Sequence, residues 1–277
     1  MRLDTICGFL SQVAPLKLAE SWDNVGLLVG RRDLAVQKIM TCLTISPPVV
    51  AEAIEHKVDL VVAHHPLPFQ AIQRITSDTT TGKMLLDLIG NQIAIYSAHT
   101  AYDSAPDGIN QQWCDFLSIA ETKPLIEHRG EKSQDHPDEV KKTGKASDIV
   151  GSGRYGRLPD QKKLRNLADL AASKMHGPPP RLVGDPDQVI QKVAFACGSG
   201  GSFLSSAIRC GCDALITGEA TFHICLEAES RGIGLILLGH YSSERFAMET
   251  LAEKLSQEFP DLRVWASQAE KDPILGT

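Results

Sequence analysis

The sequence predicts an α/β protein with largely parallel sheets. Short apolar segments that are typical of buried strands alternate along the chain with amphipathic segments that are typical of helices. Histidine or acidic residues follow several strands directly, as His64 and His65 follow the apolar run 58–62. Because ligands of α/β sheets bind at the carboxyl ends of strands, the same pattern also predicts where a functional site lies.

The first half of the chain predicts a regular order of elements. Thr5 is the expected N-cap of a first helix over 6–13. Strands are expected over 26–29, 38–43, 58–62 and 93–97. A helix is expected from Pro47, where the amide hydrogen that proline lacks would have no helical partner, and another over 84–89. The strand over 93–97 leads into a predicted loop from His99 to Asp103.

The remaining elements continue the alternation, which suggests two related α/β halves, although no fixed-period repeat is present. The polar segment 126–147 predicts a surface loop. It is followed by a glycine-rich strand edge over 151–158, a helix over 161–175, a break at 176–180 and a short stretch over 181–183. Further strands are expected over 193–197, 214–217, 235–238 and 262–266. Helices are expected over 203–210, 220–229 and 244–259, the last with Ser242 or Ser243 as its cap.

We predict three parts of the chain: a first α/β half over 1–125, a polar loop with a connecting strand and helix over 126–190, and a C-terminal α/β segment over 191–277. This length can bury a substantial core. Hydrophobic residues make up 43% of the 277 residues and charged residues 22%, which excludes disordered, collagen-like and coiled-coil classes.

Charge and cysteine content restrict the function classes further. The net charge of -6 gives no support to nucleic-acid binding, which requires clustered Lys and Arg. No segment approaches the roughly 18 apolar residues of a membrane helix, and the N-terminus does not resemble a signal peptide. Seven cysteines, an odd number, predict reduced thiols and a cytoplasmic location. Cys210 and Cys212 are expected to pack in the interior rather than to bind zinc.

Five residues are the leading candidates for metal ligands. They are His64, His65, Asp103, His240 and Glu244, with His99, Glu219 and His223 as a second group. A single histidine is more often a hydrogen-bonded interior residue than a ligand, but three separate strand ends each deliver His or Asp here. Taken alone, Asp103 could be a turn residue, and Glu244 could be an acidic residue favoured in the first turn of a helix.

The chemistry of these side chains predicts two divalent metal ions. Mixed nitrogen and oxygen ligands suit Zn, Fe, Mn, Co or Ni and argue against calcium. A carboxylate-bridged pair with open positions is the arrangement used to activate water for hydrolysis of a small-molecule substrate. A metal-binding regulatory or scaffold protein is the alternative. The segment 198–202 could be a phosphate cradle or a tight strand-to-helix turn, and it matches neither the dinucleotide fingerprint nor the P-loop.

The motifs, taken in order, resemble the Nif-three-like family of dinuclear metal centre proteins, many of which are called GTP cyclohydrolase type-two homologues. The matching segments are Glu20-Ser21-Trp22-Asp23-Asn24-Val25-Gly26-Leu27, Ala63-His64-His65-Pro66, His99-Thr100 through Asp103, Gly108-Ile109-Asn110, Gly198-Ser199-Gly200-Gly201-Ser202, Thr217-Gly218-Glu219 and Gly239-His240-Tyr241-Ser242-Ser243-Glu244. The resemblance implies that His64, His65, Asp103, His240 and Glu244 are the five ligands of a two-metal site.

The same resemblance implies a Nif-three-like fold, in which two α/β halves with mixed, largely parallel sheets hold the metal site between them. It also implies a homo-oligomer in the form of a toroidal hexamer, and a hydrolase that opens a guanine ring, so that the substrate would be a nucleotide. The chain departs from the family pattern at Ala101, where Asn is common, and at Glu219, where Asp is common. Both positions could alter the groups that orient the ligands.

Overall fold

The computed structural model of the 277-residue chain describes residues 1–128, 150–175 and 178–274. The chain divides into two compact units. Unit 1 consists of Met1–Tyr102 and Glu244–Thr277, and unit 2 consists of Asp103–Ser243.

Strands and helices alternate through most of the described ranges. In chain order they are α1 (Leu3–Val13), β1 (Gly26–Val29), β2 (Lys38–Cys42), α2 (Pro47–Glu55), β3 (Leu60–Ala63), α3 (Thr80–Gly90), β4 (Ala94–Ser97), α4 (His99–Ser104), α5 (Ile109–Phe116), β5 (Ala120–Lys123), β6 (Ile126–Glu127), β7 (Gly151–Ser152), β8 (Arg154–Lys163), α6 (Leu164–Met175), β9 (Arg181–Val183), β10 (Val189–Ala196), α7 (Leu204–Arg209), β11 (Ala214–Thr217), α8 (Phe222–Arg231), β12 (Gly234–Leu237), α9 (His240–Glu244), α10 (Phe246–Glu258) and β13 (Arg263–Ala266).

Unit 1 contains a five-stranded mixed sheet in the order β1-β4-β3-β2-β13. Strands β4, β3, β2 and β13 are parallel, and only the edge strand β1 is antiparallel to its neighbour. The central strand β3 is buried along its whole length, as a strand covered on both faces must be. Its carboxyl end therefore delivers His64 and His65 at the edge of the sheet where β4 delivers His99.

Unit 2 contains a six-stranded mixed sheet in the order β5-β8-β10-β11-β12-β9. Strands β10, β11 and β12 are parallel, and β8 and β9 pair antiparallel on either side of them. The Trp113 ring, which is fully buried, stacks on Phe195 of β10 with ring centroids 4.5 Å apart. The parallel strands end just before Cys197, Gly218 and Leu238, so the polar residues that follow them lie at one edge of this sheet.

The predicted α/β class with mixed sheets is confirmed, and so are most of the predicted strands and helices. Among the described strands, parallel pairing is confined to the central strands of the six-stranded sheet and to four of the five strands in unit 1. The helix expected at Pro47 begins there, with the proline in its first turn. All seven cysteines are free. Cys212 packs in the apolar core of unit 2, with Cys210 partly buried against it, in agreement with the predicted packing role.

Tertiary contacts moved several helix boundaries from their predicted positions. Thr5 is not an N-cap, because α1 begins earlier at Leu3, whose side chain is buried and whose N–H donates to Leu34 O at 2.9 Å. The predicted loop from His99 to Asp103 is instead the short helix α4, anchored by the buried Tyr102 and its N–H bond to Ala98 O.

The predicted cap at Ser242 or Ser243 is also wrong. Helical structure already begins at His240, and α10 starts again after Arg245. The Ser243 hydroxyl does not cap a helix, because it accepts from Gly198 N–H at 2.9 Å and donates to His240 O at 2.8 Å. These two bonds join the segment after β10 to the segment after β12, and β11 lies between those two strands in the sheet.

Strand pairing overrode the remaining local predictions. Residues 161–163, predicted as the start of a helix, extend β8 because Lys162 and Lys163 pair with β10. Residues 154–158 of the predicted strand edge lie inside a sheet, since β8 lies between β5 and β10, whereas Gly151–Ser152 form β7. Residues 126–127 of the predicted loop form β6, which pairs with β7. The rest of that loop over 129–147, and residues 176–177 of the predicted break, lie outside the described residues.

No helix within the described ranges combines the length and the apolar character that crossing a membrane requires.

The buried carboxylate of Glu52 holds the C-terminal segment of unit 1. It accepts hydrogen bonds from the Ser267 hydroxyl at 2.5 Å, from the backbone N–H groups of Gln268 and Ala269 at 3.0 Å, and from the Trp265 indole at 3.3 Å. Burial alone would raise the pKa of Glu52, but these hydrogen bonds outweigh burial and lower the pKa below its ordinary value. A lowered pKa means that the charged form stabilises the folded state.

Glu52→Gln is expected to lower the free energy of unfolding by about 1–3 kcal/mol at neutral pH, because bonds to a buried carboxylate are lost. The carboxylate contributes fully above the pKa of the unfolded state, near 4.5, and its contribution disappears as the pH falls through the lower folded-state pKa. The difference in the free energy of unfolding between wild type and variant, measured by urea denaturation, should therefore become smaller below about pH 4.5. Glu55→Gln, at an exposed position of the same helix, is the matched control. A difference that is constant down to pH 2 would contradict this role.

Candidate metal centre

Three histidines and one glutamate come together in unit 1. His64 and His65 follow β3, and His99 begins α4 after β4. Ring nitrogens of the three histidines, one from each, lie within 4.8 Å of one another, which is close enough to hold a metal ion. The Glu244 carboxylate lies 3.2 Å from His65 Nε2 and 4.0 Å from His64 Nε2. The predicted ligands His64, His65 and Glu244 are therefore neighbours, and His99, a candidate of the second group, joins them.

Backbone pairing explains why the histidine doublet lies where it does. The N–H groups of His64 and His65 donate to the carbonyls of Cys42 and Leu43, at 2.9 and 2.8 Å, so the two residues continue the parallel pairing of β3 with β2. Successive side chains of an extended chain point in opposite directions. Accordingly, the His64 side chain is fully buried, whereas that of His65 is 23% exposed.

His65 is oriented by hydrogen-bonded groups around it. Its Nδ1 lies 2.6 Å from Thr44 Oγ1. When Nδ1 carries the proton and donates to Thr44, Nε2 keeps its lone pair on the side of Glu244, as a metal ligand requires. The backbone N–H of Thr44 in turn donates to the buried Glu270 carboxylate at 2.6 Å. Burial raises the pKa of Glu270, although Arg245, at 3.0 Å, partly offsets this effect.

His99 is held by the fully buried carboxylate of Asp23. The His99 Nδ1 lies 2.7 Å from Asp23 Oδ1, and the Thr100 hydroxyl donates to Asp23 Oδ2 at 2.5 Å. Burial alone would raise the pKa of Asp23, but the hydrogen bonds from His99 and Thr100 outweigh it and lower that pKa. When the His99 ring is a neutral imidazole, donation from Nδ1–H to the ionised Asp23 leaves Nε2 with a lone pair.

Asp103 lies near the end of α4 and is held from two sides within unit 2. Its Oδ1 accepts from Cys197 Sγ at 3.2 Å. Its backbone carbonyl accepts from Asn110 Nδ2 at 3.0 Å, and Asn110 Oδ1 accepts the N–H of Cys197 at 2.9 Å. Asn110 thus joins the backbone of Asp103 to the end of β10, so the carboxylate has a defined position.

His240 begins α9 and is partly exposed. Its Nδ1 lies 3.6 Å from Glu219 Oε1 and 3.4 Å from Ser199 Oγ. Close packing of the backbone fixes the position of His240, since a Cβ atom at Gly218 would approach the His240 Cα to 2.9 Å and the Gly198 oxygen to 2.6 Å. Glycine is therefore required at 218, and the neighbouring Glu219, a candidate of the second group, faces His240.

The loop over 198–202 is built as a turn. The N–H of Gly198 donates to Ser243 Oγ, and that of Gly201 donates to Glu219 O at 3.1 Å. Because these two amides already bond to protein groups, the contacts favour the tight turn over a phosphate cradle. Among the described residues, no candidate metal-binding group includes His223, which lies exposed on α8.

Sequence reasoning missed the residues that orient the ligands. Thr44 and Cys197 were not proposed as site residues, and Asp23 and Asn110 appeared only in family motifs. Their polar partners lie up to 94 residues away in the chain, at Asp103 for Cys197, so no local spacing indicates them. The family motif over 20–27 was the available signal for Asp23.

Comparison with known proteins assigns the chain to one family. A sequence profile described as Duf34/NIF3 (NGG1p interacting factor 3) matches residues 1–273. A Clostridium perfringens protein named GTP cyclohydrolase 1 type 2 homolog is 31% identical, over 99% of both chains. NIF3-like protein 1 of Drosophila melanogaster is 30% identical, over 99% of this chain and 89% of its own.

Solved structures share the fold. A Bacillus cereus protein related to NIF3 superposes with a TM-score of 0.88 at 21% identity, covering 100% of this chain and 99% of its own. Reduced HcgD from Methanocaldococcus jannaschii superposes with a TM-score of 0.80 at 27% identity, covering 97% and 98%. With a family profile that spans nearly the whole sequence and relatives that match it from end to end, the chain belongs to the Duf34/NIF3 family.

Proposed function

We propose that this protein is a metal-dependent hydrolase that holds two divalent ions through His64, His65, Asp103, His240 and Glu244. The observation that carries the proposal is the grouping in unit 1 of three of these ligands, His64, His65 and Glu244. A ring nitrogen of His99 lies within 4.8 Å of the nitrogens of both histidines, beside this group. The buried Glu244 carboxylate faces two of these histidines. A buried carboxylate beside neutral imidazoles is the donor set of a divalent transition metal, whose charge would compensate that of the carboxylate.

The orienting contacts also fit a metal site. Thr44 and Asp23 each bind the Nδ1 of a histidine, which directs the Nε2 lone pairs of His65 and His99 away from these partners. Asp103 is positioned by Cys197 and Asn110, and His240 stands beside Glu219. A glutamate at 219 is a longer acid than the family's usual aspartate, so we expect it to influence how His240 is oriented.

Two ions bound to these residues would lower the pKa of a bound water to near neutrality and polarise the scissile group of the substrate. The residues of the chain would bind and orient the reactants: the exposed edge of His65 and the partly exposed His240 are accessible to a small molecule. Relatives named GTP cyclohydrolase 1 type 2 homolog support a nucleotide as the substrate, and Zn, Fe, Mn, Co and Ni all suit the ligands.

The test is elemental analysis of protein purified without added metal, combined with turnover assays on GTP, other nucleotides, phosphoesters and cyclic amides. We expect two ions per chain and hydrolysis that stops after chelation and resumes when metal is restored. His64→Ala should lower the stoichiometry and abolish hydrolysis, whereas the exposed His223→Ala serves as the matched control. Two bound ions without turnover would contradict the hydrolase and leave a metal-binding regulatory or scaffold function. Fewer than two ions would contradict the two-metal site.

A further inference from the structure

Two aromatic side chains beside the histidine group are exposed to solvent. Trp22 is 60% exposed and Phe69 is 51% exposed, although such large rings are usually buried. Their ring centroids lie 6.0 Å apart, and the ring planes are inclined by 50°. The two rings therefore form a tilted contact pair, and more than half of each residue remains accessible for stacking from the solvent side. We call Trp22 and Phe69 the aromatic wedge.

Hydrogen bonds around the aromatic wedge hold its two loops in place. Asn24 Nδ2 donates to Pro68 O at 2.8 Å, which joins the loop of Trp22 to the loop of Phe69. On the other side of Trp22, the Glu20 N–H donates to Thr100 Oγ1 at 3.0 Å. Side-chain exposure combined with a bonded backbone is typical of a pre-organised binding surface rather than of a frayed loop.

The aromatic wedge adjoins the histidines of the proposed metal centre. Both rings lie 6.0 Å from the His99 ring, in edge-on geometry. The His99 ring lies 5.2 Å from His64 and 5.5 Å from His65. A molecule that stacks on Trp22 or Phe69 therefore places its remaining atoms within reach of the histidines.

We propose that the aromatic wedge receives a planar heteroaromatic ring of the substrate, such as a nucleobase, and directs the attached reacting group toward His64 and His65. This inference rests on the proposed function, because it names the class of molecule acted on at that site. Stacking removes apolar ring surface from water and is tolerant of the identity of the ring. An aromatic site for an organic cation is disfavoured, because the nearby Asp23 carboxylate is buried and already binds His99 and Thr100.

The experiment measures the binding of guanosine, adenosine, ribose 5-phosphate and choline by calorimetry. It uses the full chain both as purified and after treatment with EDTA. We expect both nucleosides to bind and to quench tryptophan fluorescence, since Trp22 is the most exposed of the three tryptophans, whereas Trp113 is buried and Trp265 is half-buried. Trp22→Ala and Phe69→Ala should each weaken guanosine binding by about tenfold. Both substitutions are at exposed positions, so the variants should fold. Phe222→Ala, at another exposed phenylalanine, is the matched control and should bind as the wild type does.

Three results would overturn the inference. Ribose 5-phosphate or choline could bind as tightly as guanosine, guanosine could fail to bind the wild type, or both alanine variants could keep wild-type affinity. Binding of the ring is measured without turnover and with the metal removed. A failure of the ring-binding proposal can therefore be distinguished from a failure of the hydrolase proposal. Nucleoside binding without hydrolysis would retain ring recognition and count against the hydrolase alone.

Discussion

Replacing Glu244 with alanine is expected to lower the affinity of the protein for divalent metal by more than about 100-fold. Changes to groups that only orient a ligand already cost about 10–100-fold. We expect a larger loss at Glu244, because it is itself a proposed ligand. Its buried carboxylate faces both His64 and His65, at 4.0 and 3.2 Å. Without it the metal would have to be held beside two neutral imidazoles, with no anionic oxygen from this position.

The affinity of Glu244→Ala is measured by competition with a chromophoric chelator. Glu253→Ala, at an exposed position of α10, removes the same charge outside the site and should leave the affinity unchanged. Added zinc should also raise the melting temperature of the wild type and of the control, but not that of Glu244→Ala, since a ligand stabilises only the fold that binds it. Full metal content in Glu244→Ala at micromolar metal would show that Glu244 is not a ligand.

Replacing Arg154 with methionine is expected to lower the free energy of unfolding by about 3 kcal/mol. The Arg154 guanidinium is buried and donates to four backbone carbonyls of unit 2. Two belong to its own turn, Gly151 and Gly153, and two follow Asp103 in the chain, at Ser104 and Ala105. Removal of the guanidinium leaves buried acceptors without this donor, and a methionine side chain cannot replace it.

Denaturation in urea measures this loss. Arg154→Lys should keep only part of the stability. The ammonium group of lysine can still donate to some of these carbonyls, but it cannot reach both segments as the planar guanidinium does. Arg157→Met, at an exposed position of the same strand, should be nearly neutral. Metal affinity should fall in Arg154→Met as well, because the carbonyls of residues 104 and 105 anchor the backbone next to Asp103. Unchanged stability would mean that water replaces the guanidinium without cost.

Much of the fold could be predicted because apolar periodicity is a local property of the chain. The strand that ends at Ala63 is apolar throughout, as a parallel strand buried on both faces must be. Errors arose where distant partners decided the outcome. Lys162 and Lys163 belong to a strand because β10 pairs with them, although their local pattern favours a helix.

Less of the candidate site could be predicted. The sequence placed His64 and His65 at a strand end, and the structure brings His99 and Glu244 to them. Four features stay predictions: the complete set of five metal ligands, the domain boundaries, the relation between the two halves and the homohexamer. Asp23 was missed because its partner His99 lies 76 residues away, and Thr44 because it acts on His65 through a bond between separate strand ends.

The sequence by itself determined the α/β alternation, the strand ends that carry histidine and the family resemblance, since each depends on neighbouring residues. Only the tertiary structure decided which side chains orient those histidines and that Trp22 and Phe69 stand exposed beside them. The physical reason is that a hydrogen bond or a ring contact requires a few ångströms in space, whatever the separation along the chain. The histidine doublet marks the site, and the groups that fold around it define its chemistry.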